Sequence, residues 1–274
     1  MSKPRVAVHK FSSCDGCQLQ FLTLEEELLT LADRVDIVYF LEATSMIDEG
    51  PYDVSFVEGS VSTPHDVERI KRIREQSRFL VAIGACATSG GLQALRNWGK
   101  LDAFVNAVYA SPEHIESLEH SMPLTDHVRV DAELYGCPPD QGQLKSVVTD
   151  LLNGVQPRVP SESVCMKCKR DGNVCVLVAK GEPCMGPVTR TGCGALCPHQ
   201  ERDCYGCFGP QGGPNFTAMG QCFLGLGLAP EDVTRRLRFI YSWEPAIREA
   251  SKNWEAQGQT HTPLPLQRTP GDPS

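Results

Sequence analysis

The chain has 274 residues, of which 41% are hydrophobic and 22% charged, and these values exclude a disordered, collagen-like or coiled-coil protein. Its formal net charge is −8, and it contains no run of Lys or Arg, so nothing in it indicates binding to nucleic acid or to an anionic membrane. No apolar run approaches the ~18–20 residues of a membrane-spanning helix, and the start MSKPRVAVHK has neither a signal-peptide apolar region nor a twin-arginine motif. We therefore expect a cytoplasmic protein without a membrane anchor.

Apolar strand-like runs and helical patterns alternate through the first half of the chain. Strands are predicted at residues 5–11, 35–41, 54–57 and 79–83 and from Val128 onward. Helices are predicted at 18–31, after the N-cap Thr63 and Pro64, and from Pro138 and Pro139 to Asn153 and Gly154. This alternation predicts an α/β fold with a doubly wound parallel sheet.

The composition changes at Gln156, where a Pro/Ser-rich stretch without periodicity runs to Ser163. We read this stretch as the start of a second, smaller, loop-rich domain. The predicted division is 1–155 for the first domain, 156–256 for the second, and 257–274 for an extended or disordered tail. Three helical segments are expected in the second domain, at 216–228, 230–243 and 245–254.

Thirteen cysteines are the unusual feature of the composition. Cytosolic thiols are kept reduced, so metal ligation is expected in place of disulfides. Four of them each follow a predicted strand: Cys14, Cys17, Cys86 and Cys137. Because ligands of an open parallel sheet bind outside the carboxyl ends of its strands, we expect these four thiols to form one site.

Eight further cysteines crowd between residues 165 and 207 and divide by spacing into two quartets. One quartet is Cys165, Cys168, Cys175 and Cys184, and the other is Cys193, Cys197, Cys204 and Cys207. Each quartet contains a Cys-x2-Cys pair, as zinc sites and iron–sulfur sites both do. The remaining Cys222 lies in an apolar helical segment and is predicted to be a buried free thiol.

Spacing alone does not choose between zinc and iron–sulfur clusters. Three redox centres in series could transfer electrons, whereas three structural zinc ions would have no evident function in an acidic protein without nucleic-acid features. This difference favours iron and sulfur. A zinc-stapled interaction protein without a redox role stays an alternative. Nucleophile-elbow, phosphate-loop and dinucleotide motifs are missing from the sequence, so we expect an electron-transfer protein without a catalytic site of its own.

Six ordered motifs carry a family resemblance that runs from about residue 4 to residue 240. They are CDGC at 14–17, VEGSV at 57–61, GACATSGG at 84–91, GCPPD at 136–140, CMGPVTRTGC at 184–193 and CYGC at 204–207. Together they resemble the small subunit of nickel-iron hydrogenases. The resemblance implies a flavodoxin-like first domain and an iron–sulfur second domain with short helices. It implies a proximal cluster on Cys14, Cys17, Cys86 and Cys137, a distal cluster on Cys165, Cys168, Cys175 and Cys184, and a medial cluster on Cys193, Cys197, Cys204 and Cys207.

Two departures from the exported members of that family narrow the resemblance. Those members have a histidine as first distal ligand and a proline in place of a fourth medial cysteine, whereas this chain has Cys165 and Cys197, which implies three 4Fe-4S clusters. The chain is thus similar to the cytosolic NAD(P)-linked hydrogenases, or sulfhydrogenases. In these a small subunit relays electrons between the NiFe site of a large subunit and flavin/iron–sulfur subunits that reduce NAD(P). A glutamate often precedes the first proximal cysteine in the hydrogenase family, and this chain has Ser13 at that position.

A related alternative is an iron–sulfur subunit of a quinone oxidoreductase. That family pairs adjacent cysteines in its cluster motif, and here Cys14 and Cys17 are separated. The hydrogenase resemblance further implies that the crevice around the proximal cysteines and Glu58 is buried against the large subunit, over more than ~2,000 Å² as in obligate complexes.

Overall fold

The structure is a computed structural model that describes residues 3–25, 30 and 33–260. Five strands form one sheet: β1 (Arg5–Lys10), β2 (Asp36–Phe40), β3 (Tyr52–Glu58), β4 (Ser77–Ile83) and β5 (Ala132–Leu134). Their spatial order is β2-β1-β3-β4-β5, and every neighbouring pair is parallel. This is the flavodoxin-like order, so the predicted doubly wound parallel sheet is confirmed.

Helices account for most of the remaining regular structure. The first half contains α1 (Gly16–Leu22), α2 (Pro64–Gln76), α3 (Gly84–Ser89), α4 (Leu101–Val108) and α5 (Gln141–Leu152), with 3-10 helices at Gly91–Trp98, Pro112–His114 and Leu124–Asp126. The second half contains α6 (Val164–Arg170), α7 (Val176–Ala179), α8 (Leu196–His199), α9 (Phe216–Gly225), α10 (Pro230–Leu237) and α11 (Pro245–Thr260). None of the described helices combines the length and apolar character that crossing a bilayer requires.

The sheet is buried on both faces, which explains why its strands read as continuous apolar runs. On one face, Val8 and Phe56 pack with Phe21 of α1 and Leu144 of α5. In a separate cluster, side chains of β3 and β4 pack against α2. The strands contribute Val57, Leu80 and Ala82, and the helix contributes Ile70 and Ile73. The layers place the carboxyl ends of the strands, and the cysteines that follow them, at one edge.

Helix α2 begins where the sequence predicts. The Asp66 N–H donates to Thr63 Oγ1 at 3.1 Å, and the Thr63 N–H donates to Asp66 Oδ2 at 3.0 Å, which forms a capping box. Pro64 follows the cap, at the one place in a helix where its missing N–H costs nothing.

The strand predicted from Val128 is wrong in its start, because β5 begins only at Ala132. Asp131 accounts for the delay. Its Oδ2 accepts the Leu80 N–H at 2.9 Å and lies 2.5 Å from Arg74 Nη1. The Leu80 N–H, which would pair with the backbone of β5 if that strand began earlier, is thus bonded to a side chain. Backbone pairing between β4 and β5 begins at Val81 with Ala132.

Two further boundaries differ from the sequence prediction. The helix predicted from Pro138 begins at Gln141, because Asp140 is its N-cap and accepts the Gln143 N–H at 3.1 Å. The predicted tail is wrong for residues 257–260, which complete α11. Its remainder, 261–274, lies outside the described residues, as do 26–29 and 31–32 of the helix predicted at 18–31.

Cys222 is exposed, so the prediction of a buried thiol is wrong. The buried residues of α9 are Phe216, Met219, Gly220 and Phe223, which recur at helical spacing and face the core of the second half. Cys222 lies on the other side of the helix. The three predicted helical segments correspond to α9, α10 and α11, but the second is wrong in its end, because α10 stops at Leu237 and not at Trp243. The boundary near residue 156 stays a prediction.

Candidate metal centres

The first set of cysteines gathers at the carboxyl edge of the sheet. Cys14 and Cys17 follow β1, Cys86 lies in α3 directly after β4, and Cys137 follows β5. Cys17 is buried, and the other three thiols are close enough to contribute to raising its pKa. The sheet topology therefore brings these four thiols together.

Two glycines let the backbone approach the sulfur atoms of this set. A methyl group at Gly84, where φ is +83°, would lie 2.3 Å from Cys17 Sγ, and one at Gly91 would lie 2.6 Å from Cys86 Sγ. Real side chains do not tolerate such separations, so only glycine fits both positions. The sulfur atoms are thus enclosed by main chain.

The thiols of the first set are difficult to ionise alone. Burial, helped by neighbouring Glu58 and the other thiols, raises the pKa of Cys17 far above its usual range, and burial also raises the pKa of Cys86 to about 12. Glu58 is itself fully buried, and its Oε2 accepts the Gln18 N–H at 2.7 Å. Ligation by a cationic iron core would supply the compensating positive charge and release the thiol protons.

The second set lies at the start of the other half of the chain. Cys165 and Cys168 are on α6, Cys175 is the N-cap of α7, and Cys184 is buried. A methyl group at Gly186 would lie 3.4 Å from the Sγ atoms of both Cys165 and Cys184. Burial raises the pKa of Cys165 to about 11, with further contributions from the other three thiols, so this quartet is also assembled.

The third set lines a single cleft of about 330 Å³: Cys193, Cys197, Cys204 and Cys207. Cys137 of the first set lines the same cleft. Burial and then the charges of Cys193, Cys197 and Cys137 raise the pKa of Cys207 to about 12. The third set therefore adjoins the first.

The third set also adjoins the second. The Cys204 N–H donates to Cys184 Sγ at 3.2 Å, and the Cys184 thiol contributes, after burial, to raising the pKa of Cys204. The cleft that Cys137 shares with the third set and the hydrogen bond from Cys204 to Cys184 give the order first, third, second. Three four-thiol sets thus lie in series across the molecule.

Each of the three sets supplies the four thiols that a 4Fe-4S cluster takes. Among the residues that the structure describes, no group of three or more Cys, His, Asp or Glu side chains converges on a point that could hold one metal ion. A four-iron cluster makes a different demand, because each thiolate binds a separate corner iron and the four thiolates surround the cluster. Four thiols in each set, with glycine beside the sulfur atoms in the first and second, fit that arrangement.

Two polar residues near the cysteines were not predicted from the sequence. Gln93 lies close enough to Cys86 to oppose the rise in its pKa, and it donates through Nε2 to the Ser12 carbonyl at 2.8 Å. Thr189 has the same effect on the pKa of Cys204, and its hydroxyl donates to the Met185 carbonyl at 2.7 Å. Gln93 lies on the 3-10 helix after the left-handed Gly90 and Gly91, so no helical spacing in the sequence links it to Cys86.

Comparison with known proteins identifies relatives of this chain. A family model described as NADH ubiquinone oxidoreductase, 20 Kd subunit, matches residues 14–151, half of the chain. The delta subunit of sulfhydrogenase 2 from Pyrococcus furiosus is 36% identical over 239 residues, which cover 87% of this chain and 100% of that subunit.

Two solved structures cover different shares of the chain. A crystal structure of a NAD+-reducing [NiFe]-hydrogenase in the H2-reduced state contains a chain that is 33% identical, with a TM-score of 0.54, over 58% of this chain and 96% of that one. An actinobacterial-type NiFe-hydrogenase from Ralstonia eutropha H16 is 16% identical, with a TM-score of 0.57, over 98% of this chain and 94% of that one, and shows a shared fold. The chain belongs to the family of the NADH ubiquinone oxidoreductase 20 kDa subunit, and within it to the small subunits of hydrogenases of the sulfhydrogenase type.

Proposed function

We propose that this chain is the electron-transfer subunit of a cytosolic nickel-iron hydrogenase. It relays electrons between the NiFe site of a large subunit and a flavoprotein that reduces NAD(P). The observation that carries the proposal is the series of three four-cysteine sets, joined by the cleft that Cys137 shares with Cys207 and by the hydrogen bond from Cys204 to Cys184. Redox sites that adjoin in series provide a path along which electrons can pass from one to the next.

Each set would hold one 4Fe-4S cluster, which supplies reversible one-electron transfer when bound. The first set, Cys14, Cys17, Cys86 and Cys137, is the proximal site. The third set, Cys193, Cys197, Cys204 and Cys207, is the medial site, and the second set, Cys165, Cys168, Cys175 and Cys184, is the distal site. The protein keeps water from the buried thiols, and the Cys204 N–H stabilises charge on Cys184 Sγ.

The two ends of the series are open to partners. At the proximal end Cys14 is exposed, and Leu92 and Leu95, on the 3-10 helix that follows Cys86, are 46% and 38% exposed. Exposed apolar side chains beside a redox site are typical of an interface, and we assign this edge to the large subunit.

At the distal end Cys175 is exposed, and it lies between Val174 and Val178, which are 68% and 83% exposed. Met166, on the helix that carries Cys165 and Cys168, is exposed as well. We assign this end to the flavoprotein that exchanges electrons with NAD(P).

Metal and sulfide analysis with EPR tests the proposal. The purified chain should be brown and contain about twelve iron atoms with matching acid-labile sulfide, four for each cluster. Zinc in a colourless protein would instead support the zinc-stapled alternative. The quinone-oxidoreductase alternative is tested on the whole complex, which should reduce NAD(P) with hydrogen; reduction of a quinone without any hydrogen-dependent activity would contradict the assignment.

A further inference from the structure

One buried tyrosine of the second half contacts the backbone of two cysteine sets. Tyr241 follows α10 and is 2% exposed. Its hydroxyl oxygen accepts the N–H of Gly136, the residue before Cys137, at 3.0 Å. Its ring packs on Gly209, where a methyl group would lie 2.7 Å from Cε1 of the ring. A single side chain therefore spans from the first set to the third.

Backbone hydrogen bonds join the two turns of the first set that lie beside Tyr241. In the turn after β4, Thr88 Oγ1 donates to the Gly84 carbonyl at 2.9 Å. The Gly136 carbonyl in turn accepts the Ala85 N–H at 2.9 Å. The turns after β4 and β5, which present two of the four thiols, are thus tied to each other and to the tyrosine.

The ring of Tyr241 rests against the turn that closes the third set. Gly209 has a φ of +70°, its N–H donates to the Gly206 carbonyl at 3.0 Å, and its carbonyl accepts the Arg190 N–H at 2.8 Å. Cys207 lies inside this hydrogen-bonded turn. The tyrosine ring therefore limits how closely the turn can approach the sheet edge.

We infer that Tyr241 is a positioning residue that fixes the proximal and medial sites relative to each other. The inference rests on the proposed function. A phenylalanine would fill the same volume, so packing does not require the hydroxyl, but the buried Gly136 N–H needs an acceptor. Cluster potentials respond to hydrogen bonding and to solvent access around the ligands, so the hydroxyl should affect redox behaviour as well as stability.

The test compares Tyr241→Phe with Tyr52→Phe in the iron-loaded full chain. Tyr52 is a matched control: it is also buried, its hydroxyl donates to the Asp48 carbonyl at 2.6 Å, and it stands at the opposite end of β3 from the cysteines. Tyr241→Phe should keep all iron at first but shift the g-values and midpoint potential of the proximal cluster in an EPR redox titration. Its proximal iron should pass to a chelator about tenfold faster, as expected for loss of one buried hydrogen bond. Tyr52→Phe should lower only the unfolding temperature.

Two results would overturn the inference. One is a Tyr241→Phe protein with the EPR spectrum, potential and iron-release rate of the original chain and only the thermal shift of the control. If Tyr241→Phe loses all iron during preparation, its clusters are rebuilt with ferrous iron and sulfide; a proximal signal identical to that of the original chain after this reconstitution would be the second. If the original chain holds no iron–sulfur clusters, the proposed function itself is wrong. This outcome is distinguished from failure of the inference on Tyr241 because it is seen before any residue is substituted.

Discussion

Replacing Gly84 by alanine should selectively disrupt the proximal site. Gly84 has a φ of +83°, and the added methyl group would lie 2.3 Å from Cys17 Sγ. Alanine in the left-handed region costs about 1–2 kcal/mol wherever it occurs. Forcing a methyl group into a closed site costs roughly 1–3 kcal/mol more, because the sulfur atom or the backbone must move.

Gly154→Ala is the matched control. Gly154 also has a positive φ, +69°, but nothing lies within 4 Å of the position of an added methyl group. The control should therefore lose only the backbone contribution, about 1–2 kcal/mol. The difference between the two variants measures the contact with Cys17 alone.

Chemical denaturation and iron analysis decide the outcome. Gly84→Ala should unfold at a lower denaturant concentration than Gly154→Ala and should lack the proximal EPR signal, with about four of twelve iron atoms missing. If both variants unfold alike and both hold full iron, the close packing of Cys17 on Gly84 does not shape the site.

Three other changes have distinct expected results. Cys197→Pro, in the first turn of α8 where proline is tolerated, should convert the medial cluster to a three-iron form; an oxidised sample without a three-iron EPR signal would show that Cys197 is not a ligand. Asp131→Ala should destabilise the chain by about 1–3 kcal/mol in urea unfolding, because it leaves the buried Leu80 N–H without its acceptor and removes the carboxylate partner of Arg74, which keeps the Ser77 carbonyl; loss below about 0.5 kcal/mol would contradict that role. Val178→Asp should slow hydrogen-dependent NAD(P) reduction by the whole complex at least tenfold while dye reduction at the NiFe site stays unchanged, and equal loss of both activities would contradict the assignment of the distal end.

The sequence by itself determined the sheet and the grouping of the first four thiols. Strands buried on both faces must be apolar throughout, so they are visible as continuous runs, and the capping box at Thr63 marks a helix start by local chemistry alone. Because parallel strands end at the same edge, placing these cysteines directly after predicted strands was enough to predict that Cys14, Cys17, Cys86 and Cys137 lie close together. The motifs that follow those strands also indicated the family.

Only the tertiary structure decided the features that depend on contacts between distant segments. The start of β5 was mispredicted because the Asp131 side chain takes a ladder N–H, an event that strand periodicity cannot reveal. The face on which Cys222 lies depends on which side of α9 meets the core, and both sides of that helix carry apolar residues. The order of the three cysteine sets, and the position of Tyr241 between two of them, follow from how loops without periodicity fold against the sheet edge, and such loops are held by individual hydrogen bonds that no repeating pattern encodes.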